Sequence, residues 1–472
     1  MVFSDLIFLF FFLPAVILVT KLSPKAWRNL ELLLFSLLFY AWGEPVYVFL
    51  MLAVIGVNYF AGLLVSRFPR ETRPTQRKLA LTLSVAVNLA ILGTFKYAGF
   101  FAESLNSLTG SQLTVPQIVL PIGISFYIFQ SMSYVIDVYR EQVEPQRSPL
   151  TFGTYVALFP QLIAGPIVRY RDIADQLRDR EETRAHFAQG VVRFVYGLAK
   201  KVLLANQMGL LADRMLLTES GSFSAWMGMA AYTLQIYFDF SGYSDMAIGL
   251  GRMLGFRFKE NFAHPYVSRS ITEFWKRWHI SLSSWLQEYL YIPLGGNRRG
   301  QARTYLNLLL TMLIGGLWHG ANWTFVAWGG LHGLALCLHK LYARWRRKHG
   351  LERRRPLWTG LSVLLTFSFV SFCFIFFRAE SIGAALGIVA GIFTLRPGLH
   401  FVSFWAVTAL VLTGLCSLAA IVRSRKNGTA VEGFYPLVDL GSFRGLTLFF
   451  LFVGLTLALG YTGQSPFIYF QF

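Results

Sequence analysis

The sequence predicts an all-α integral membrane protein: a multi-pass helical bundle of roughly ten to twelve membrane segments, some of them short or re-entrant. Three observations carry that expectation. Of the 472 residues, 55% are hydrophobic and only 14% charged, whereas soluble globular proteins carry about 25% charged residues. The mean hydropathy is +0.50. The apolar residues also fall into runs close to the roughly 20 that a bilayer-spanning helix needs.

The formal net charge of +19 has two readings. Binding to nucleic acid would need a basic face on a soluble fold. Here the Lys and Arg residues instead cluster between apolar runs, as they do in the cytoplasmic loops of membrane proteins. The expected partner is therefore a lipid bilayer, with no nucleic acid. The three cysteines, Cys337, Cys373 and Cys416, lie in apolar segments without ligand spacing, so neither a disulfide framework nor a metal site is expected.

Taken in order, the clearest spans are Ile7–Thr20, Val46–Val65, Leu79–Phe95, Ser222–Phe238, Leu357–Phe377, Phe401–Val422 and Gly445–Tyr461. Weaker ones are Leu30–Tyr40, Pro116–Ile136, Thr151–Ile167, Val191–Leu211 and Ala384–Leu395. The first run follows no basic n-region and precedes no small-residue cleavage site, which favours a retained helix over a signal peptide. Basic clusters stand at Lys21–Arg28, Arg67–Lys78, Arg169–Arg184, Arg344–Arg355 and Arg423–Lys426. Placing them in the cytoplasm puts both termini on the outer, periplasmic face.

The stretch 304–339 contains no Lys, Arg, Asp or Glu. As one helix it would run roughly 54 Å at 1.5 Å per residue, while the hydrocarbon core is about 30 Å thick. It must break or turn back, and Gly315, Gly316 and Gly320 are candidate break points. Basic residues at both ends, Arg298–Arg303 and Lys340–Arg347, fit a hairpin that returns to the cytoplasmic side.

His319 lies at that break. An ionisable group at bilayer depth is costly and is by default a functional hypothesis. Imidazole also titrates where a general base is useful near neutral pH. If the helix continued, Gly315, Gly316, Asn322 and Trp323 would share its face, and the glycines would admit a thin substrate chain. Asn322 could then orient a ring nitrogen or donate to an oxyanion. The competing reading is a buried histidine bonded to a carbonyl at a helix break.

His279 lies in SITEFWKRWHISLSSWLQEYL. Ser270 and Glu273 form a capping box. Trp275, Trp278, Leu282, Trp285, Leu286 and Tyr289 then recur at helical spacing, which reads as one amphipathic helix with interfacial tryptophans. From these residues alone, His279 is equally well a site residue or an incidental histidine. Asp239 and Asp245, six apart on one helix, would face different ways; an orienting role suits them better than paired acid–base chemistry. PQLIAGPIVRY (160–170) suits either a re-entrant segment or a kinked helix end. No P-loop, dinucleotide fingerprint, G-x-S-x-G or H-E-x-x-H motif occurs. An intramembrane base without an obvious nucleophile fits direct acyl transfer better than an acyl-enzyme route.

The runs QIYFDFSGYSDMAIGLGRMLGF, NFAHPYVSRSITEFWKRWHISLSSWLQEYLYIPLGGNRRG and LIGGLWHGANWTFVAWGGLHG resemble the membrane-bound O-acyltransferase (MBOAT) family, in particular its bacterial alginate O-acetylation branch. MVFSDLIFLFFFLP, LPIGISFYIFQSMSYVIDVYR, FPQLIAGPIVRYRD and the ending PFIYFQF share the resemblance, which covers nearly the whole chain. It implies a single domain over residues 1–472, with a catalytic core at about 116–340 and helices around a central tunnel. It places the family's two histidines on His319 and His279, with Asn322, Trp318, Trp323, Asp239, Trp275 and Trp278 as supporting or tunnel residues.

The implied activity is O-acetyl transfer from a cytoplasmic thioester, with acetyl-CoA as a donor substrate rather than a bound cofactor. Arg298 and Arg299 are candidates for the donor's phosphates. The implied setting is the bacterial inner membrane, with periplasmic or membrane-anchored acetyltransferase partner proteins and an exopolysaccharide as eventual acceptor. That acceptor is alginate first, with cellulose or peptidoglycan as alternatives; a fused extracytoplasmic esterase-like domain is not expected. Outside this class, a membrane transporter or a non-catalytic scaffold of a polysaccharide-modifying complex would also use buried histidines and broken helices.

Overall fold

The computed structural model describes residues 1–218, 221–350, 356–394 and 440–460. The expected span Phe401–Val422, the basic residues Arg353–Arg355 and Arg423–Lys426, His400, Cys416 and the PFIYFQF ending lie outside the described residues. Among the described residues every regular element is helical. Helices Tyr47–Arg67, Leu357–Arg378 and the continuous run Pro74–Thr109 are long and apolar enough to cross a bilayer. Phe8–Leu22, Ile382–Phe393 and Phe443–Ala458 are shorter apolar helices. Phe49, Phe60, Leu364 and Leu365 leave more than half their surface uncovered. Exposed apolar surface on this scale belongs against lipid.

The described chain groups into two compact units. One comprises Met1–Val195 with Tyr243–Lys259. Its centre is helix Ile124–Tyr139, buried along almost its whole length. Its sequence predicted a span from Pro116, but the helix starts only at Ile124. Pro116 and Pro121 cannot donate main-chain hydrogen bonds, and Gly123 turns left-handed at φ +75°, with its Cα close to the Leu162 carbonyl. Against this helix lie Tyr47–Arg67 and Pro74–Leu92. Those two are joined by Asn58 and Asn88, each donating its amide to the other's oxygen, at 3.0 and 2.9 Å. A reciprocal amide pair satisfies polar groups that hydrocarbon cannot. The segment after helix Phe159–Leu162 leaves helical geometry yet stays buried through Val168.

The other unit comprises Tyr196–Gly242 with the chain from Glu260 onward. Its core is the predicted hairpin: helix Gln301–His319 turns at Gly320–Asn322 into helix Trp323–Lys348. Gly320 is extended (φ −158°, ψ 147°), and the Asn322 side chain caps the second helix by accepting from Thr324 N at 3.0 Å. The first arm has 19 residues, about 28 Å at 1.5 Å per residue, which matches the hydrocarbon thickness. Gly315 and Gly316 are not break points, and Gly316 does not serve a substrate chain. A Cβ on Gly316 would lie 2.2 Å from the Phe325 carbonyl oxygen, and one on Gly329 would lie 2.3 Å from that of Met312. These glycines let the two arms touch backbone to backbone.

The expected single amphipathic helix over Ser270–Tyr289 is also divided. The Ser270 hydroxyl accepts from Glu273 N at 3.2 Å, as the cap predicted. The helix, however, ends at Trp275, and a second helix runs from Ile280 to Leu286. Between them His279 takes a left-handed conformation, φ +43°. Regular side-chain spacing survives such a break, so periodicity alone did not reveal it.

The glycine contact makes a sharp comparison. Gly316→Ala should cost about 1–3 kcal/mol through overpacking, seen as a lower melting temperature in detergent. Gly330→Ala meets nothing closer than Leu313 Cδ2 at 3.6 Å and should melt like the parent.

Candidate active site

Both helix breaks of the second unit deliver a histidine to the same place. His319 is the last residue of its helix and His279 the residue before Ile280–Leu286. Their ring centroids are 6.4 Å apart. His279 is fully buried, and His319 is 5% exposed. Aromatic rings wall them in. Trp318, Trp328 and Phe377 stand edge-on to His319 at 5.0, 5.1 and 5.2 Å. Phe240 stands edge-on to His279 at 4.6 Å, and Trp318 lies 6.1 Å from it. Edge-to-face packing at these distances fixes ring orientation as well as burying area.

A third histidine adjoins the wall. His332, one helix turn beyond Trp328, is fully buried with its ring 4.8 Å from that of Trp328. Trp275 Nε1 donates to its Nδ1 at 3.3 Å. An indole can only donate, so Nδ1 of His332 is bare and the proton of the neutral ring sits on Nε2.

The other expected site residues divide. Trp318 touches both histidines, and Trp275 supports the wall through His332 and Trp328, 5.7 Å away. Trp278 belongs to an adjoining aromatic core with Phe262, Phe274 and Phe374. Asn322 and Trp323 do not share the face of His319, because the helix ends before them. The Asn322 amide caps the next helix and donates to the Glu380 carbonyl at 3.0 Å, while Trp323 is 53% exposed. Asp239 is paired with Lys201 at 2.9 Å, both almost fully buried. Asp245, in the other unit, takes two donors from Arg193, at 3.1 and 2.7 Å. The two carboxylates thus serve different cations, consistent with orienting rather than paired acid–base work. Arg298 and Arg299 are exposed on the turn after Gly295–Gly296, which Asn307 fixes by donating to the carbonyls of Leu294 and Gly296.

Lys201, Phe240, Asn261, Trp328 and Phe377 were not singled out from sequence, and His332 stood out only as one of four central histidines beside aromatic and glycine-rich sequence. Trp328 and His332 had a usable signal, since both lie in the charge-free stretch with His319. Lys201 and Asn261 had none, because a contact made across the fold leaves no local pattern.

Comparison with known proteins places this geometry in context. A family model described as "MBOAT, membrane-bound O-acyltransferase family" matches residues 46–378. A probable alginate O-acetylase of Pseudomonas putida is 43% identical over the full length of both chains. One from Azotobacter vinelandii is 49% identical over 84% of this chain and 78% of its own. A peptidoglycan O-acetyltransferase of Helicobacter pylori is 37% identical over 83% of this chain and 79% of its own.

The Lys201–Asp239 pair yields a test of the scaffold. Asp239→Ala leaves a buried ammonium without its carboxylate and should destabilise by about 3–5 kcal/mol. Replacing both, Lys201→Met with Asp239→Leu, should recover most of that in a thermal melt. Equal losses in both variants would contradict it.

Proposed function

The chain belongs to the membrane-bound O-acyltransferase family and is an acyltransferase, and from that premise we propose that it transfers acetyl groups from acetyl-CoA toward O-acetylation of an exopolysaccharide of the alginate type. The observation that carries this reading is the pair of buried histidines 6.4 Å apart at two helix breaks. In the proposed step a ring nitrogen of His319 takes the proton of an acceptor hydroxyl while its oxygen attacks the acetyl carbonyl carbon. A C–O bond forms, the C–S bond breaks, and the proton passes from the imidazolium to the departing thiolate. His279 orients the reacting groups, and the aromatic walls exclude water that would hydrolyse the thioester.

In this reading the donor arrives from the cytoplasm, with its phosphates on Arg298 and Arg299. The chain lies in the bacterial inner membrane with periplasmic termini, and hands the acetyl group to a partner acetyltransferase that modifies the polymer. Similarity to relatives named as alginate O-acetylases supports alginate as acceptor. The relative named for peptidoglycan supplies the second reading.

Two measurements test the reading. His319→Ala should remain in the membrane and lose about 10²–10⁴-fold in CoA release from labelled acetyl-CoA, the range supplied by general-base catalysis. A variant that transfers at the parental rate sinks the role. Arg298→Ala with Arg299→Ala should raise KM for acetyl-CoA several-fold with kcat unchanged, since those contacts would bind ground state and transition state alike. An unchanged KM removes them from the donor site.

A further inference from the structure

We propose that Asn261 is the positioning residue of this site, holding His279 in the tautomer whose Nε2 is the bare, proton-accepting nitrogen. The proposal rests on the reading of His279 as a site residue.

Asn261 lies in the irregular stretch ahead of Ser270 and is 1% exposed. Its main-chain oxygen accepts from Ile280 N at 2.9 Å, which ties this stretch to the start of helix Ile280–Leu286. Its side-chain oxygen accepts from Ser281 N at 3.2 Å and from Ser281 Oγ at 2.9 Å. The same oxygen lies 3.2 Å from His279 Nδ1.

The orientation of an amide is ordinarily an inference from its hydrogen bonds. Here the Ser281 main-chain N–H decides it, because that group can only donate. The atom facing it must be oxygen. An oxygen that accepts from Ser281 can meet Nδ1 of His279 only if Nδ1 carries a hydrogen. A neutral imidazole has one N–H, so the lone pair is on Nε2. Ser281 Oγ, 3.4 Å from Nδ1, agrees with this: it has given its own hydrogen to Asn261 and presents a lone pair to the ring.

Nε2 is buried and meets no hydrogen-bonding group of the protein. It belongs to a ring held rigidly on its other side, stacked edge-on by Phe240 and facing His319, the titratable ring beside it. The left-handed backbone at His279 is unfavourable for a residue with a Cβ. Strain of this kind is kept where the surroundings over-determine it, and Asn261 supplies four of the hydrogen bonds around it. The tautomer also divides the labour. A bare Nε2 cannot donate to an oxyanion, so His279 enters the reaction as an acceptor of an O–H or N–H.

A loop staple would use the same hydrogen bonds, so the test must read the ring. In full-length protein labelled with 15N-histidine, the His279 signals are identified by their loss in His279→Gln. The expected spectrum has a protonated Nδ1 and a bare Nε2, and in Asn261→Ala the opposite tautomer gains population. A bare Nδ1 in the parent overturns the proposal.

For CoA release, Asn261→Ala should lower kcat at least about 10²-fold, as misplaced histidine tautomers do, with KM for acetyl-CoA little changed. Asn261→Asp keeps the accepting oxygen and the cap. Its added charge should raise the ring's pKa, moving the acidic limb of the kcat profile upward by about one unit or more. If Asn261→Asp leaves the pH profile in place while Asn261→Ala only lowers the melting temperature, Asn261 is a staple and the proposal fails. Failure of the site reading looks different: His279→Ala would then transfer normally, whatever the ring-nitrogen spectrum shows.

Discussion

Hydrocarbon offers no hydrogen bonds, so a broken helix inside it survives only where protein re-satisfies the freed main chain. Buried breaks in the second unit meet the same demand, since a buried main-chain group needs a partner. At Gly320 the chain leaves the helix with its N–H still on the Gly316 carbonyl, at 3.3 Å, and the next helix is capped within two residues by Asn322. Between Trp275 and Ile280 the repair comes from a distant segment. Asn261 accepts from Ile280, and the Ala263 N–H donates to the Arg277 carbonyl at 2.9 Å. A histidine stands at each break: His319 closes its helix and His279 precedes the next one. The polar centre therefore exists because the breaks exist, and the breaks persist because their polar groups are spoken for.

The packing around these breaks follows from the same demand. Backbone contact through Gly316 and Gly329 brings the hairpin arms closer than ordinary side chains permit, and so places Trp328 against His319. Helix Pro356–Arg378 closes the wall with Phe377 and Phe374. Next to Phe240 on the same helix, Asp239 is held by Lys201. A buried ion pair seldom adds much net stability, but its loss on one side is expensive. It restricts how the Phe240 helix can rotate, and Phe240 in turn sets the face of His279.

Most of the helices were legible in hydropathy, because lipid-facing segments must be apolar whatever they pack against. Boundaries were less so. The span written from Ser222 to Phe238 runs on to Met253, because Asp239 and Asp245 are neutralised by cations that lie elsewhere in sequence. His319 was legible because a charge-free stretch too long for one crossing has to break near it. His279 was not legible from its own pattern, since tryptophan spacing continues smoothly through a helix that stops. The family resemblance, rather than periodicity, brought it forward. Asn261 was invisible for a third reason: its role is a hydrogen bond across 18 positions of sequence, and nothing in NFAHPY announces it.

The geometry also bears on why transfer to an alcohol, rather than hydrolysis, suits such a site. The rings standing edge-on to His319 include two indoles and a phenyl group, none of them a nucleophile. In the proposed reaction, walls of this kind favour direct attack by an incoming hydroxyl. They hold water poorly, and in the proposed reaction that protects a thioester donor until the hydroxyl arrives. In the proposed step the acceptor oxygen needs a base already in the right protonation state, because apolar walls slow proton exchange with solvent. In the proposal, a tautomer fixed through buried hydrogen bonds meets that requirement before substrate binds, with the rings of His279 and His319 6.4 Å apart.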